Sequence, residues 1–286
     1  MSTGGAPVSE RTRPTYRRSI GDRLQPRRIG LYLFLAIMAI LFLLPLFWWI
    51  SSAVRSTASI PVGLSLLDTW WPGEFKFFEN LETAFDLYPM ARFFLNTIIV
   101  ATVVMCGEVI IASMAGYGLA KFRFLGRNLA FAAVLAFLLV PQIVVVVPLF
   151  QMMANLGLVN SYSALIVPFV VTPLGIFMMR QFMAEIPNEF MESARIDGAS
   201  ELRIYWSVVL PMARNGIITL AVFTFIFQWD SLLWPLIATS RESMYTLNVG
   251  VSLLQANVQT PYNSIFAVTL LFSLPVIILF FAVQRQ

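Results

Sequence analysis

The sequence predicts an all-α integral membrane protein of six transmembrane helices. Three observations carry this. Hydrophobic residues fill 58% of the 286 positions and charged residues only 12%, against roughly a quarter charged in soluble domains. Six stretches are apolar over the ~20 residues needed to cross a hydrocarbon layer. Lys and Arg are distributed unevenly among the polar segments between them. The composition excludes a soluble globular domain and a disordered chain. With no His and a single Cys, Cys106, an internal disulfide, a Cys/His zinc site and a His-based catalytic triad are excluded too.

Residues 1–28 hold Arg11, Arg13, Arg17, Arg18, Arg23, Arg27 and Arg28 with no apolar period. They read as a disordered basic tail that can lie against anionic lipid. The domain proper is expected over 29–286. Its first span, Ile29 to about Val54, is too long for a cleaved signal peptide and stays as an anchor. The polar interruption from about Arg55 to Arg92 carries Trp70 and Trp71, read as marks of the membrane–water interface. The second span runs from about Phe93 to Gly118, the third from Leu129 to Phe150 and the fourth from Tyr162 to Met179. The fifth covers about Gly216 to Ala238 and the sixth Tyr262 to Val283. Pro45, Pro141, Pro168, Pro173, Pro235 and Pro275 fall inside spans, where neighbouring helices can satisfy the carbonyls that a kink frees. Counted on alternate sides, fifteen Lys and Arg face four. The richer side marks the cytoplasm and holds both termini.

Two acids sit within spans, Glu108 in the second and Asp230 in the fifth. Carboxyls at membrane depth are costly and face a bundle interior or a water-filled path. Two readings stand for each: a substrate pathway or proton site, or a neutral hydrogen-bonded group between helices. Asp230 lies in the polar, aromatic run Gln228-Trp229-Asp230-Ser231. No G-x-x-x-x-G-K-[ST] loop is present, so this chain is not expected to bind ATP. No metal site and no nucleic-acid partner are expected either.

The polar loop 185–211 is the informative segment. Pro187 suits a first helical position, and Glu189 and Glu192 favour the opening turns. Gly198 is placed to end a short helix in a left-handed conformation. Ser200 can cap a second segment from Glu201 to about Val209, and Pro211 marks a break before the fifth span. Phe190, Met191 and Ile196 are poor choices for a merely solvated loop. Small Ala194 and Gly198 allow a partner surface to approach closely.

This stretch resembles the cytoplasmic EAA loop of permease subunits in bacterial binding-protein-dependent ABC importers. The family pattern is E-A-A, three residues, G, nine residues, then I-x-L-P. Here Glu192-Ser193-Ala194 is followed by Gly198 and by Val208-Val209-Leu210-Pro211 at the same spacing. The run Ala194-Arg195-Ile196-Asp197-Gly198-Ala199-Ser200 resembles the carbohydrate-uptake branch. Asn96-Thr97, the run Gly116 to Phe124, Gln228 to Leu236, Tyr245-Thr246-Leu247 and the C-terminal Gln284-Arg285-Gln286 also match in order. The family's Asn-Asp pair after Trp229 reads Asp230-Ser231 here. Members usually continue several residues past the position of Gln286 in a Gly-rich basic tail.

The resemblance implies a type I ABC importer permease fold in the bacterial inner membrane. A second permease would share the pathway, two ATPase subunits would bind ATP and Mg, and an extracytoplasmic binding protein would deliver a sugar or sugar-like solute. Glu189, Glu192, Ser193, Ala194, Asp197, Gly198, Ala199, Leu210 and Pro211 would couple to an ATPase. Gln228, Trp229, Asp230 and Glu108 would be pathway candidates. The alternative is an ion-gradient-driven secondary transporter that uses Glu108 and Asp230.

Overall fold

The computed structural model describes residues 26–56 and 74–284, with side chains from residue 29 onward. The basic tail expected over 1–28, apart from the helix start at Pro26, lies outside the described residues, as do Trp70, Trp71, Arg285 and Gln286. The chain divides into two compact units, residues 1–49 and 50–286, each described by itself. Among the described residues the first unit is the bulk of α1 (Pro26–Val54), an apolar helix that runs on through Pro45.

The second unit is built around one long helix. After α2 (Phe77–Leu87) comes α3 (Met90–Lys121), of 32 residues. At 1.5 Å per residue α3 is ~48 Å long, well beyond the ~30 Å hydrocarbon layer. It therefore extends past the expected span, Phe93–Gly118, at both ends. Next come α4 (Arg127–Leu138), α5 (Gln142–Asn155), the short α6 (Tyr162–Ile166) with a 3-10 turn over Val167–Phe169, and α7 (Pro173–Ala184). The polar loop forms α8 (Asn188–Ile196) and α9 (Glu201–Met212). Then follow α10 (Arg214–Trp229), α11 (Leu233–Ala238), α12 (Leu247–Ala256) and α13 (Tyr262–Val283).

Three expected spans prove to be broken. The third is α4 and α5, bent by 102°. Pro141 caps α5, and the extended backbone it imposes before Gln142 ends the run that hydropathy reads as continuous. The fourth bends by 41° between its two halves, where Thr172 caps α7 by accepting a hydrogen bond from the Gly175 N–H at 3.0 Å. The fifth ends its helix at Trp229, and Asp230 to Leu232 separate α10 from α11. Among the described residues three helices are long and apolar enough to cross a membrane, or up to six if each bent pair forms one span, the third such pair being α9 and α10, bent by 77°.

α7 and α10 pack along α3. The crossing with α7 is tight at Gly116, where an added Cβ would fall 2.7 Å from Met179 Cβ and 2.8 Å from the Arg180 backbone N. Toward the α8 end the core gathers Tyr117, Met179, Met183, Met191, Ile204 and Tyr205. Toward the opposite end it gathers Phe93, Trp229, Leu247, Leu254 and Phe272. There Asn96 Nδ2 donates to the Ser243 and Tyr245 carbonyls at 3.0 and 2.8 Å, and Thr97 Oγ1 accepts from the Leu247 N–H at 2.8 Å. Two runs some 150 residues apart in sequence are thus one hydrogen-bonded corner.

Candidate functional site

The candidate site is the helix–turn–helix α8–α9. Its turn is a Schellman motif: the Gly198 N–H donates to the Arg195 carbonyl and the Ala199 N–H to the Ala194 carbonyl, both at 3.0 Å. Gly198 has φ 80°, the left-handed conformation that glycine adopts without a Cβ penalty. Ser200 caps α9, its hydroxyl accepting from the Arg203 N–H at 3.4 Å. Pro187 stands one residue before α8 rather than in its first turn. Pro211 lies in the last turn of α9, which ends at Met212, and the expected break before α10 falls two residues on at Ala213, where α9 and α10 are bent by 77°. The Pro211 ring would crowd the carbonyl one turn back, and Tyr205–Val209 form a wide π-helical turn just there.

The two faces of α8 differ. Met191 is buried, and Ala194 and Ala199 pack on the same core. Ala194 thus seats α8 on its own protein rather than opening it to a partner. Glu189, Glu192, Ser193 and Ile196, spaced three and four apart, form an exposed stripe with Asp197 and Gly198 beyond it. Phe190, Ile196, Leu202 and Trp206 are exposed large apolar side chains around that stripe, Ile196 at 86%. Three carboxylates, Glu189, Glu192 and Asp197, thus stand amid exposed apolar surface, a combination suited to a partner with basic and apolar groups. Leu210 is half-buried against the core and Pro211 is exposed.

The ties that hold this element were not legible as site residues. Arg195 grips Glu201 with two hydrogen bonds, Nε to Oε1 at 2.6 Å and Nη2 to Oε2 at 3.2 Å. The Tyr117 hydroxyl at the end of α3 donates to Glu201 Oε2 at 3.1 Å. The Arg195 hydrogen bond holds the Glu201 carboxyl below the ordinary carboxylate range, and Glu201 raises Arg195 in turn. The Tyr205 hydroxyl pairs with Ser113 Oγ at 2.6 Å. Lys121 donates to the Ile186 carbonyl and to Asn188 Oδ1, the latter at 3.1 Å. The only sequence signal was an Arg and a Glu of opposite charge flanking the Gly-Ala-Ser turn.

The pathway candidates separate. Glu108 is 3% exposed and accepts from the Thr172 hydroxyl and, at 2.7 Å, from Thr224 Oγ1, so it ties α3 to α7 and α10. Trp229 is a core side chain, stacked on Phe225 at 5.5 Å between ring centres and edge-on to Phe94. Gln228 is buried beside it. Asp230 is exposed and lines a half-open cavity of about 500 Å³.

The fold and this loop define the permease of an ABC importer. Residues 108–286 match the family model for the binding-protein-dependent transport system inner membrane component, and the chain belongs to that family. The chain is 31% identical over 263 residues to the arabinooligosaccharides transport system permease protein AraQ of Bacillus subtilis, covering 90% of this chain and 92% of that one. The lactose transport system permease protein LacG of Rhizobium radiobacter is 29% identical, with 95% of each covered. UgpE of Yersinia pestis, an sn-glycerol-3-phosphate transport system permease protein, is 33% identical over 69% of this chain and 71% of its own length. In fold the chain resembles a subunit of a bacterial ABC transporter involved in the import of the acidic polysaccharide alginate, with a TM-score of 0.78, 23% identity, and 95% and 99% of the two chains covered.

Proposed function

We propose that this chain is one of two permease subunits in an ATP-driven importer of a sugar or sugar-like solute, and that α8–α9 couples it to ATPase subunits. The α8–α9 element carries this reading: a preformed turn tied to the end of the longest helix, with an unpartnered acidic and apolar face outward. Six crossings are proposed, three of them bent pairs, with both termini on the cytoplasmic side together with α8. The fifth crossing starts at α10. With 16 residues α10 is ~24 Å long, short of the hydrocarbon thickness, and the helix joined to it across a 77° bend is α9. ATP and Mg would bind in two partner ATPases. A second permease would close the pathway, and an extracytoplasmic protein would deliver the solute. Closure of the ATPase pair would draw α8–α9 with it and tilt the helices it is tied to, a ligand-biased two-state change.

The gradient-driven alternative is weaker. Glu108 is locked between two hydroxyls and three helices rather than open to an ion path. The test is purification of the tagged chain from detergent, with identification of companion subunits and assay of ATP hydrolysis and uptake. A second permease and a Walker-motif ATPase should co-purify, and Glu192→Lys should lower uptake by reversing charge on the docking face. A chain that purifies alone and follows a proton or sodium gradient would sink this reading.

A further inference from the structure

Two helix breaks meet at one cavity. The first residues of α5, the last turns of α10 and the start of α11 enclose the ~500 Å³ space around Asp230. Such interrupted helices are tolerated at membrane depth where they line a cavity, and the volume lies within the ~300–1,000 Å³ common for small-molecule sites. Its polar groups are the Asp230 carboxylate, the Ser231 hydroxyl and the Gln142 amide. Its apolar walls include Phe223, Phe227 and Trp234.

The state of these groups is informative. The Trp234 indole N–H is already used, donating to the Ala164 carbonyl at 2.9 Å, so the ring is fixed and offers only its apolar surface. Asp230, by contrast, makes only a backbone hydrogen bond, to the Ile226 carbonyl at 2.9 Å, and its carboxylate has no protein partner among the described residues. Among the described residues no Lys or Arg lines the space.

We propose that this cavity is a solute-contacting site of this subunit and that it selects uncharged, polyhydroxylated solutes against anions. The inference rests on the permease reading above. A free carboxylate accepts two hydroxyl hydrogens, the amide and hydroxyl give and take one more each, and aromatic faces cover the C–H surfaces of a ring. With one negative charge and no positive one, the same site repels a phosphate or a uronate. Asp230 thus acts as a specificity residue, while Trp229 beside it, a helix turn's fraction away, serves the core.

The test uses the full importer in proteoliposomes, with uptake of labelled lactose and arabinotriose measured against sn-glycerol 3-phosphate and an alginate trisaccharide. Uptake of a neutral sugar is expected. Asp230→Asn should raise its KM roughly tenfold, as loss of one charged hydrogen-bonding acceptor implies. Ile143→Trp, which fills the cavity, should abolish uptake in an assembly that still purifies intact. Uptake of an anion, no uptake of either neutral sugar by an assembly that hydrolyses ATP, or an unchanged KM in Asp230→Asn overturns the assignment. Failure of any ATPase to co-purify is a different result and counts against the permease reading itself.

Discussion

Replacing Gly198 should uncouple ATP hydrolysis from transport by a purely conformational route. At φ 80° an L-residue with a Cβ costs about 1–2 kcal/mol, and a β-branched one lies at the upper end. Among the described residues, its chain neighbours aside, no atom lies within 4 Å of an added Cβ at this position, so there is no clash to add and no core to disturb. Gly198→Ala should therefore weaken the turn by about 1 kcal/mol and Gly198→Val by about 2 kcal/mol, the latter a roughly thirtyfold loss in the population of the native turn. Gly198→Asn should lose little, because Asn visits the left-handed region. The assay is solute transported per ATP hydrolysed in the reconstituted importer, with amide exchange at Ala199 and Ser200 as the local readout. The expected order of damage is Val, then Ala, then Asn. A Val variant with the parent ratio refutes the reasoning. So does an Asn variant as damaged as Val, since that would place the cost in partner contact rather than in φ.

Other outcomes follow from the ties between helices. The folded pKa of Glu201 is depressed by Arg195, so the pair's contribution is present above the ordinary Glu pKa and lost as pH falls through the folded value, from about pH 4 downward. Both side chains are over 40% exposed (42% and 44%), which limits the contribution to below about 1 kcal/mol. The thermal midpoint of Glu201→Gln should fall less steeply in acid than that of the parent. Glu108→Ala should lower stability by about 2 kcal/mol, from two interhelical hydrogen bonds and a small void, while Glu108→Gln keeps an acceptor and loses less; thermal unfolding in detergent distinguishes them. Gly116→Val forces the α3–α7 crossing apart and should cost about 3 kcal/mol or prevent assembly, whereas Gly118→Val, with open space around it, should be mild on the same measurement.

Local chemistry was readable in the sequence and long-range ties were not. Gly198 and Ser200 could be placed because a left-handed turn and a helix cap are decided by the residues that form them. The grip of Tyr117 on Glu201 depends on how far α3 runs past its apolar stretch, which hydropathy does not set. The 102° bend before α5 was hidden because Leu139 and Val140 keep the apolar average high through the break, and only Pro141 hinted at it. Trp229 and Asp230 were grouped as one polar, aromatic cluster. At about 100° per residue neighbours point different ways, and one went to the core and the other to the cavity. Asn96-Thr97 and Tyr245-Leu247 matched the family as separate motifs, and only the folded chain joins them.

The long central helix has a mechanical meaning as well. Asn96 near one end anchors the Ser243–Tyr245 corner, and Tyr117 near the other holds Glu201. Twenty-one residue steps separate those anchors, a rod of ~32 Å. A helix without a break behaves as a stiff lever, so a tilt of ~10° about one anchor sweeps the other through ~5.6 Å, about the rise of one helical turn. On the proposed coupling, motion imposed on the turn at Gly198 would reach the far corner as geometry, with no chain of rearranging side chains between them.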